Sequence, residues 1–183
     1  MGKRYRVRLL IKEEDNEALK ELSKIYRKAY NAGIEAQFKY LSYSEDYMNQ
    51  LIPAEKVMEL VENSKVSFPK VDTGIIEAGI RDSVSYFHKW WIKRITTSRP
   101  LVPLTPSHFQ TRKGILFKTT TQLKVSEQGF IYIPKYGRIK IKDIHAVPPG
   151  TYKNVKIAFD GIVWDLMLES VVGEEPIPIE FLR

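Results

Sequence analysis

Basic side chains recur at every second position in two short stretches of this chain, Arg4, Arg6 and Arg8 near its start and Arg138, Lys140 and Lys142 towards its end. On an extended strand that spacing lines up cations along one face, an arrangement that can follow a phosphate backbone. The alternate positions are apolar, Tyr5, Val7, Leu9 and Ile11 in the first stretch and Ile139 and Ile141 in the second. The opposite face can therefore enter a core. Lysine and arginine on a strand also protect an open sheet edge from pairing with another chain, and spacing alone admits both roles. A third basic group, residues 107–118, interleaves His108, Arg112, Lys113 and Lys118 with Phe109 and Phe117. That mixture suits a loop meeting bases as well as phosphates.

Groups for covalent or metal chemistry are sparse. There is no cysteine, and His88, His108 and His145 stand 20 and 37 positions apart without paired ligand spacing, so neither a metal nor a cofactor is expected. The carboxylates gather at 13–15, 45–46, 55–62 and in the tail. They read as helix faces and caps, not as the clustered set that metal-assisted hydrolysis needs. No glycine-rich loop opens a helix to cradle phosphate. Tyr26, Tyr30, Phe38, Tyr40, Phe87, Trp90 and Trp91 recur at helical spacing, which assigns most of them to core packing. The expectation is a binding protein without a catalytic centre.

The elements that must carry these residues follow from periodicity. A strand over 4–12 gives way to an amphipathic helix that starts on Glu13, Glu14 and Asp15, where the helix dipole favours negative charge, and runs to about Tyr40. A short helix follows Pro53, and a third starts after Asp72 or Thr73 and runs towards Ser98, before Pro100, Pro103 and Pro106. Beyond those prolines the period changes from near four to two. Strands are expected at 114–121, in a hairpin of 130–133 and 138–142 turning at Pro134 to Gly137, and in a second hairpin of 152–159 and 162–169 turning at Asp160-Gly161. A lone first strand needs backbone partners, so it should join the later sheet.

The fold expected is α+β, a small antiparallel β-barrel interrupted after its first strand by a helical subdomain. Residues 1–13 and 100–172 would form the barrel, 14–99 the helical insert and 173–183 an acidic linker-like tail. With 183 residues, 43% of them hydrophobic, the chain can bury a core without staples. Its formal net charge of +7 favours polyanionic partners. No apolar run has membrane length, and a cytoplasmic location is expected.

Laid out in this order, the chain resembles the N-terminal half of the TnpB family, transposon-encoded RNA-guided nucleases long described as transposases and related to type V CRISPR effectors. The resembling segments are Tyr5-Arg6-Val7-Arg8-Leu9, Tyr30-Asn31, Gly79-Ile80-Arg81-Asp82 with Tyr86-Phe87 and Trp90-Trp91, and Phe109-Gln110-Thr111-Arg112-Lys113. The most specific is Ile131-Tyr132-Ile133-Pro134-Lys135-Tyr136-Gly137-Arg138-Ile139-Lys140-Ile141. The resemblance implies that the barrel is a wedge domain and the helical insert a recognition lobe, together binding a structured guide-like RNA and double-stranded DNA. It adds Arg81, Thr120 and Lys135 to the expected nucleic-acid-binding residues, beside Lys118. Family members read a short flanking DNA motif with stretches that match 75–79 and 117–120 here, although Ile76-Glu77 stands where relatives often place glutamine. The RuvC-like nuclease half, with its metal-binding carboxylates and zinc ribbon, has no counterpart in these residues, so the expectation is non-catalytic, with a separate RuvC-like nuclease subunit as a further partner. The alternative is a protein-interaction or regulatory module that docks on another protein, or a decayed remnant.

Overall fold

The computed structural model describes residues 2–42, 51–96 and 114–171. Phe109, Arg112 and Lys113, the proline crossover and the acidic tail lie outside the described residues, as does the expected helix end near Ser98. The elements are β1 (Arg4–Leu10), α1 (Glu13–Ser42), α2 (Ala54–Asn63), α3 (Thr73–Thr96), β2 (Ile115–Thr119), β3 (Leu123–Val125), β4 (Phe130–Ile133), β5 (Gly137–Ile141), β6 (Gly150–Phe159) and β7 (Trp164–Ser170).

β1 alternates as its sequence requires. Val7 and Leu9 are buried while Arg4, Arg6 and Arg8 are exposed. It lies antiparallel between β5 and β7, with Leu9 opposite Ile141 and with Arg4, Arg6 and Arg8 opposite Glu169, Met167 and Asp165. The ladder continues from β5 through β4 and β3 to β6, and β6 pairs back onto β7, so the antiparallel sheet closes into a ring. β2 and β3 succeed one another along the other edge of β6, Ile115 to Thr119 pairing with Phe159 to Val155 and Leu123 to Val125 with Tyr152 to Gly150. β3 was not expected from the sequence. Three residues are too few for a period, and Thr119 to Gln122 interrupt the apolar pattern with polar side chains. β7 begins at Trp164 rather than at Ile162, because Asp160 Oδ1 accepts hydrogen bonds from the backbone N–H groups of Ile162 and Val163, both at 2.8 Å, and holds those residues in the turn.

The helices share the core of the sheet. Leu19, Leu22 and Tyr26 of α1 and Ile75 and Ala78 of α3 join one buried cluster with Ile131, Ile139, Val155 and Leu166. Further along, α1 and α3 close on α2 through Ala29, Ala32, Val57, Val61 and Ile80. Close passage of α1 and α3 depends on Gly79, where a Cβ would come within 2.6 Å of the Tyr26 carbonyl oxygen. Of the helical aromatics, Tyr26, Tyr30, Phe87 and Trp91 are buried in the core, as their spacing predicts.

α3 is pinned at its first turn. Asp72 caps it by accepting the Gly74 N–H on Oδ1 at 3.2 Å, and the same carboxylate accepts the hydroxyls of Thr119 at 2.6 Å and Thr121 at 2.8 Å. The Gly74 carbonyl accepts the Thr120 N–H at 3.1 Å. The end of β2 and the start of α3 are thereby locked side by side. At the other helix, Tyr136 donates its hydroxyl to Asp15 at 2.7 Å and Trp164 donates its indole N–H to Asn16 at 2.8 Å, fixing the start of α1 on the sheet.

Candidate nucleic-acid interface

The clamp between α3 and β2 forms one wall of a groove of about 880 Å³ whose floor is the outward face of β2, β6, β7 and β1. Strand register sets the floor in rows. Lys118 on β2 stands opposite Lys156 on β6, which stands opposite Met167 on β7, which stands opposite Arg6 on β1. In the neighbouring row Lys153 faces Glu169, and Glu169 faces Arg4. Arg81 and Asp82 project from α3, and Thr120 completes the lining next to Lys118. The lining holds six cations, Arg4, Arg6, Arg81, Lys118, Lys153 and Lys156, against two carboxylates, Asp82 and Glu169.

Most of these cations have carboxylate neighbours. Arg6 donates to Asp165 Oδ2 through Nε at 3.1 Å, Arg4 lies 3.6 Å from Glu169, and Lys118 lies 2.7 Å from Asp82. Arg81 divides its guanidinium between Glu77 at 2.8 Å and Glu55 at 3.2 Å, and the second oxygen of Glu77 accepts the Thr120 hydroxyl at 3.0 Å. Glu169 is the hub of its row, and the Asn154 amide that donates to it, with Lys153 and Arg4, holds its carboxyl below the ordinary glutamate range. The arginine side chains of these pairs remain largely exposed, 74% for Arg4 and 71% for Arg6. Their carboxylate partners are nearly buried, 10% exposed for Glu169 and 13% for Asp165, so these pairs hold the arginines in place while the exposed guanidinium edges stay open to a phosphate. Lys156 makes no ion pair among the described residues.

Five of the residues expected from the sequence and its resemblance therefore meet in one groove: Arg4, Arg6, Arg81, Lys118 and Thr120. Arg138 and Lys140 lie instead on the outward face of β5, and Lys142 continues that face beside β1, its N–H donating to the Arg8 carbonyl at 2.9 Å. Lys135 is exposed at the β4–β5 turn, with a left-handed φ of 62°. The edge-protection reading does not fit β1 or β5, because each is paired on both sides within the ring.

Lys153 and Lys156 escaped the sequence reading. An odd spacing puts two side chains on opposite faces of a regular strand, yet both line the groove. A register shift between them, with Asn154 at φ 53°, inserts the bulge that returns Lys156 to the same face. Among the described residues no group of three or more His, Cys, Asp or Glu side chains could hold a metal ion, and no helix is long and apolar enough to cross a membrane. Ring, helices and groove define a mixed helix-and-sheet protein with a strongly basic cleft. No protein-family model matches the chain, and no curated protein matches it.

Proposed function

We propose that this chain is a non-catalytic nucleic-acid-binding module, its strand ring serving as an OB-like, wedge-type barrel and its three helices as an inserted recognition-lobe-like unit of the TnpB type. The observation that carries this reading is the Lys118–Lys156 pair on the groove floor. Like charges directly opposite one another across two strands are destabilising; Asp82 offsets Lys118 alone, and an anion over Lys156 relieves the repulsion that remains. With Arg4, Arg6, Arg81 and Lys153 lining the same cleft, the anion that fits is a run of phosphates.

The resemblance gives this groove its partners, a structured guide-like RNA and double-stranded DNA, with a separate RuvC-like nuclease subunit as the protein that would cut. The two stretches that match the family's flanking-motif readers lie against each other here, joined by the Thr120–Glu77 hydrogen bond. A carboxylate at position 77 offers acceptors only, so any base edge it met would be a donor such as the amino group of cytosine.

The test is binding of the purified chain to a structured RNA and to duplex DNA across a salt series. Affinity should fall steeply with salt, and the double reversal Lys118→Glu with Lys156→Glu should lower the slope of log affinity against log salt by about 2. No binding of either nucleic acid at about 50 mM salt would overturn the reading.

A further inference from the structure

A second basic surface lies outside the groove, on the outward face of β3, β4 and β5. Register places Tyr132 opposite Arg138 and Phe130 opposite Lys140, while Ile131, Ile133, Ile139 and Ile141 fill the core beneath. Phe130 is half-buried and is engaged by two cations, the Arg138 guanidinium 4.8 Å and Lys140 Nζ 5.9 Å from its ring centroid. Tyr132 is 58% exposed and makes no ring contact and no side-chain hydrogen bond among the described residues. Lys124 is exposed one step from the Val125–Ile131 pair, on the side of β4 away from Arg138. The exposed Leu10 of β1 lies beyond Lys140. None of the three strands carries a carboxylate, and Lys124, Arg138 and Lys140 make no ion pair among the described residues.

A large aromatic ring left in water on a rigid sheet, with unneutralised cations on both sides, lacks a partner of matching chemistry. The core does not need Tyr132, and edge protection does not explain it, since β4 is paired on both sides. We propose that this face is a stacking platform for an unpaired strand of nucleic acid, with Tyr132 taking a base face and Lys124, Arg138 and Lys140 taking the flanking phosphates. Duplex bases hide their faces in the stack, so this surface selects a single strand. The strands supply no amide or carboxylate to read a base edge, so sequence preference should be slight. The proposal rests on the nucleic-acid-binding reading and divides its labour, backbone tracking in the groove and unpaired bases on the β3–β5 face.

The experiment measures fluorescence anisotropy of the full chain with a labelled oligo-dT of about twelve nucleotides and with a blunt-ended, loop-free duplex of similar length. Tyr132→Ala should weaken oligo-dT binding about tenfold, Tyr132→Phe should stay within about twofold of wild type, and neither should change duplex binding. The groove double reversal should show the opposite pattern, losing the duplex and retaining most oligo-dT affinity. Since Tyr132 is exposed, the melting temperature of the alanine variant should match wild type. If Tyr132→Ala binds oligo-dT as wild type does while the groove variant still loses the duplex, the platform is wrong and the wider reading stands. Displacement of oligo-dT by a polyglutamate peptide at equal charge would also overturn it, by showing a plain anion patch. Failure of the wild-type chain to bind either nucleic acid removes both proposals.

Discussion

Asp72 holds three donors with two oxygens. It caps α3 through the Gly74 N–H, and it anchors β2 through the hydroxyls of Thr119 and Thr121, all while only 5% exposed. A lost cap costs about 1 kcal/mol, and each hydrogen bond to a buried charge adds about 1.5 to 3 kcal/mol. Asp72→Ala should therefore destabilise the protein by about 4 kcal/mol or more in urea unfolding, and Asp72→Asn by less, since its amide oxygen can still cap. An alanine variant within about 0.5 kcal/mol of wild type would mean that the α3–β2 clamp contributes nothing. Tyr152 makes a prediction in pH. Its hydroxyl donates to the Pro148 carbonyl at 2.6 Å, and burial, with Tyr5 nearby, pushes its pKa up to about 12. Burial and the Asp15 carboxylate push Tyr136 up as well. A raised folded pKa in these phenols means stability that is full below the unfolded value near 10 and is lost as pH rises from there towards 12. Phenolate absorbance during alkaline titration should show these two tyrosines ionising only as the fold melts. Complete and reversible ionisation of every tyrosine at the ordinary value, with far-UV circular dichroism unchanged, would contradict that.

Among the elements, β6 shows what could be read from the sequence and what could not. β1 and β5 were legible because strict alternation of apolar and basic residues leaves one way to face a core, β4 because the Pro134 to Gly137 turn pairs it with β5, and the cap of α3 was legible to within one residue, as Asp72 or Thr73. The groove floor was not. Its two β6 lysines, Lys153 and Lys156, share a face only through the bulge at Asn154, and the carboxylates that hold Arg4 and Arg6 come from β7, 159 positions away in the case of Asp165. No local period carries such information. The bulge gives a clean comparison. Asn154 sits at φ 53° and donates to Glu169 at 3.1 Å. Asn154→Gly and Asn154→Val both lose that hydrogen bond, but only valine opposes the left-handed backbone. The valine variant should be less stable than the glycine variant by about 1 to 2 kcal/mol. Equal stabilities in chemical denaturation would show that the bulge is not held in this conformation.

For the molecule as a whole, the strand at the start of the chain completes a ring built otherwise from its last third. β1 fills the gap between β5 and β7, buries Val7 and Leu9 and packs Tyr5 edge-on to Tyr152 with ring centroids 5.8 Å apart. Without it the sheet would have two bare edges facing each other across a missing strand, with core residues of both exposed. Burying two aliphatic side chains and a tyrosine is worth on the order of 5 kcal/mol, against total stabilities of about 5 to 15 kcal/mol for domains. A chain starting at residue 12 should therefore lose its cooperative thermal transition and self-associate through the β5 and β7 edges. A synthetic peptide of residues 2–12 should restore the transition when added in excess, because the strand is held by register pairing, side-chain burial and the Arg4–Glu169 and Arg6–Asp165 pairs, all of which the peptide carries, and α1 begins only at Glu13. A scrambled peptide of the same composition should fail, since a one-residue slip turns Val7 and Leu9 outward and the arginines inward. If the shortened chain melts as sharply as the full one, β1 is an accessory strand, and the arginine row of the groove can be removed without opening the ring.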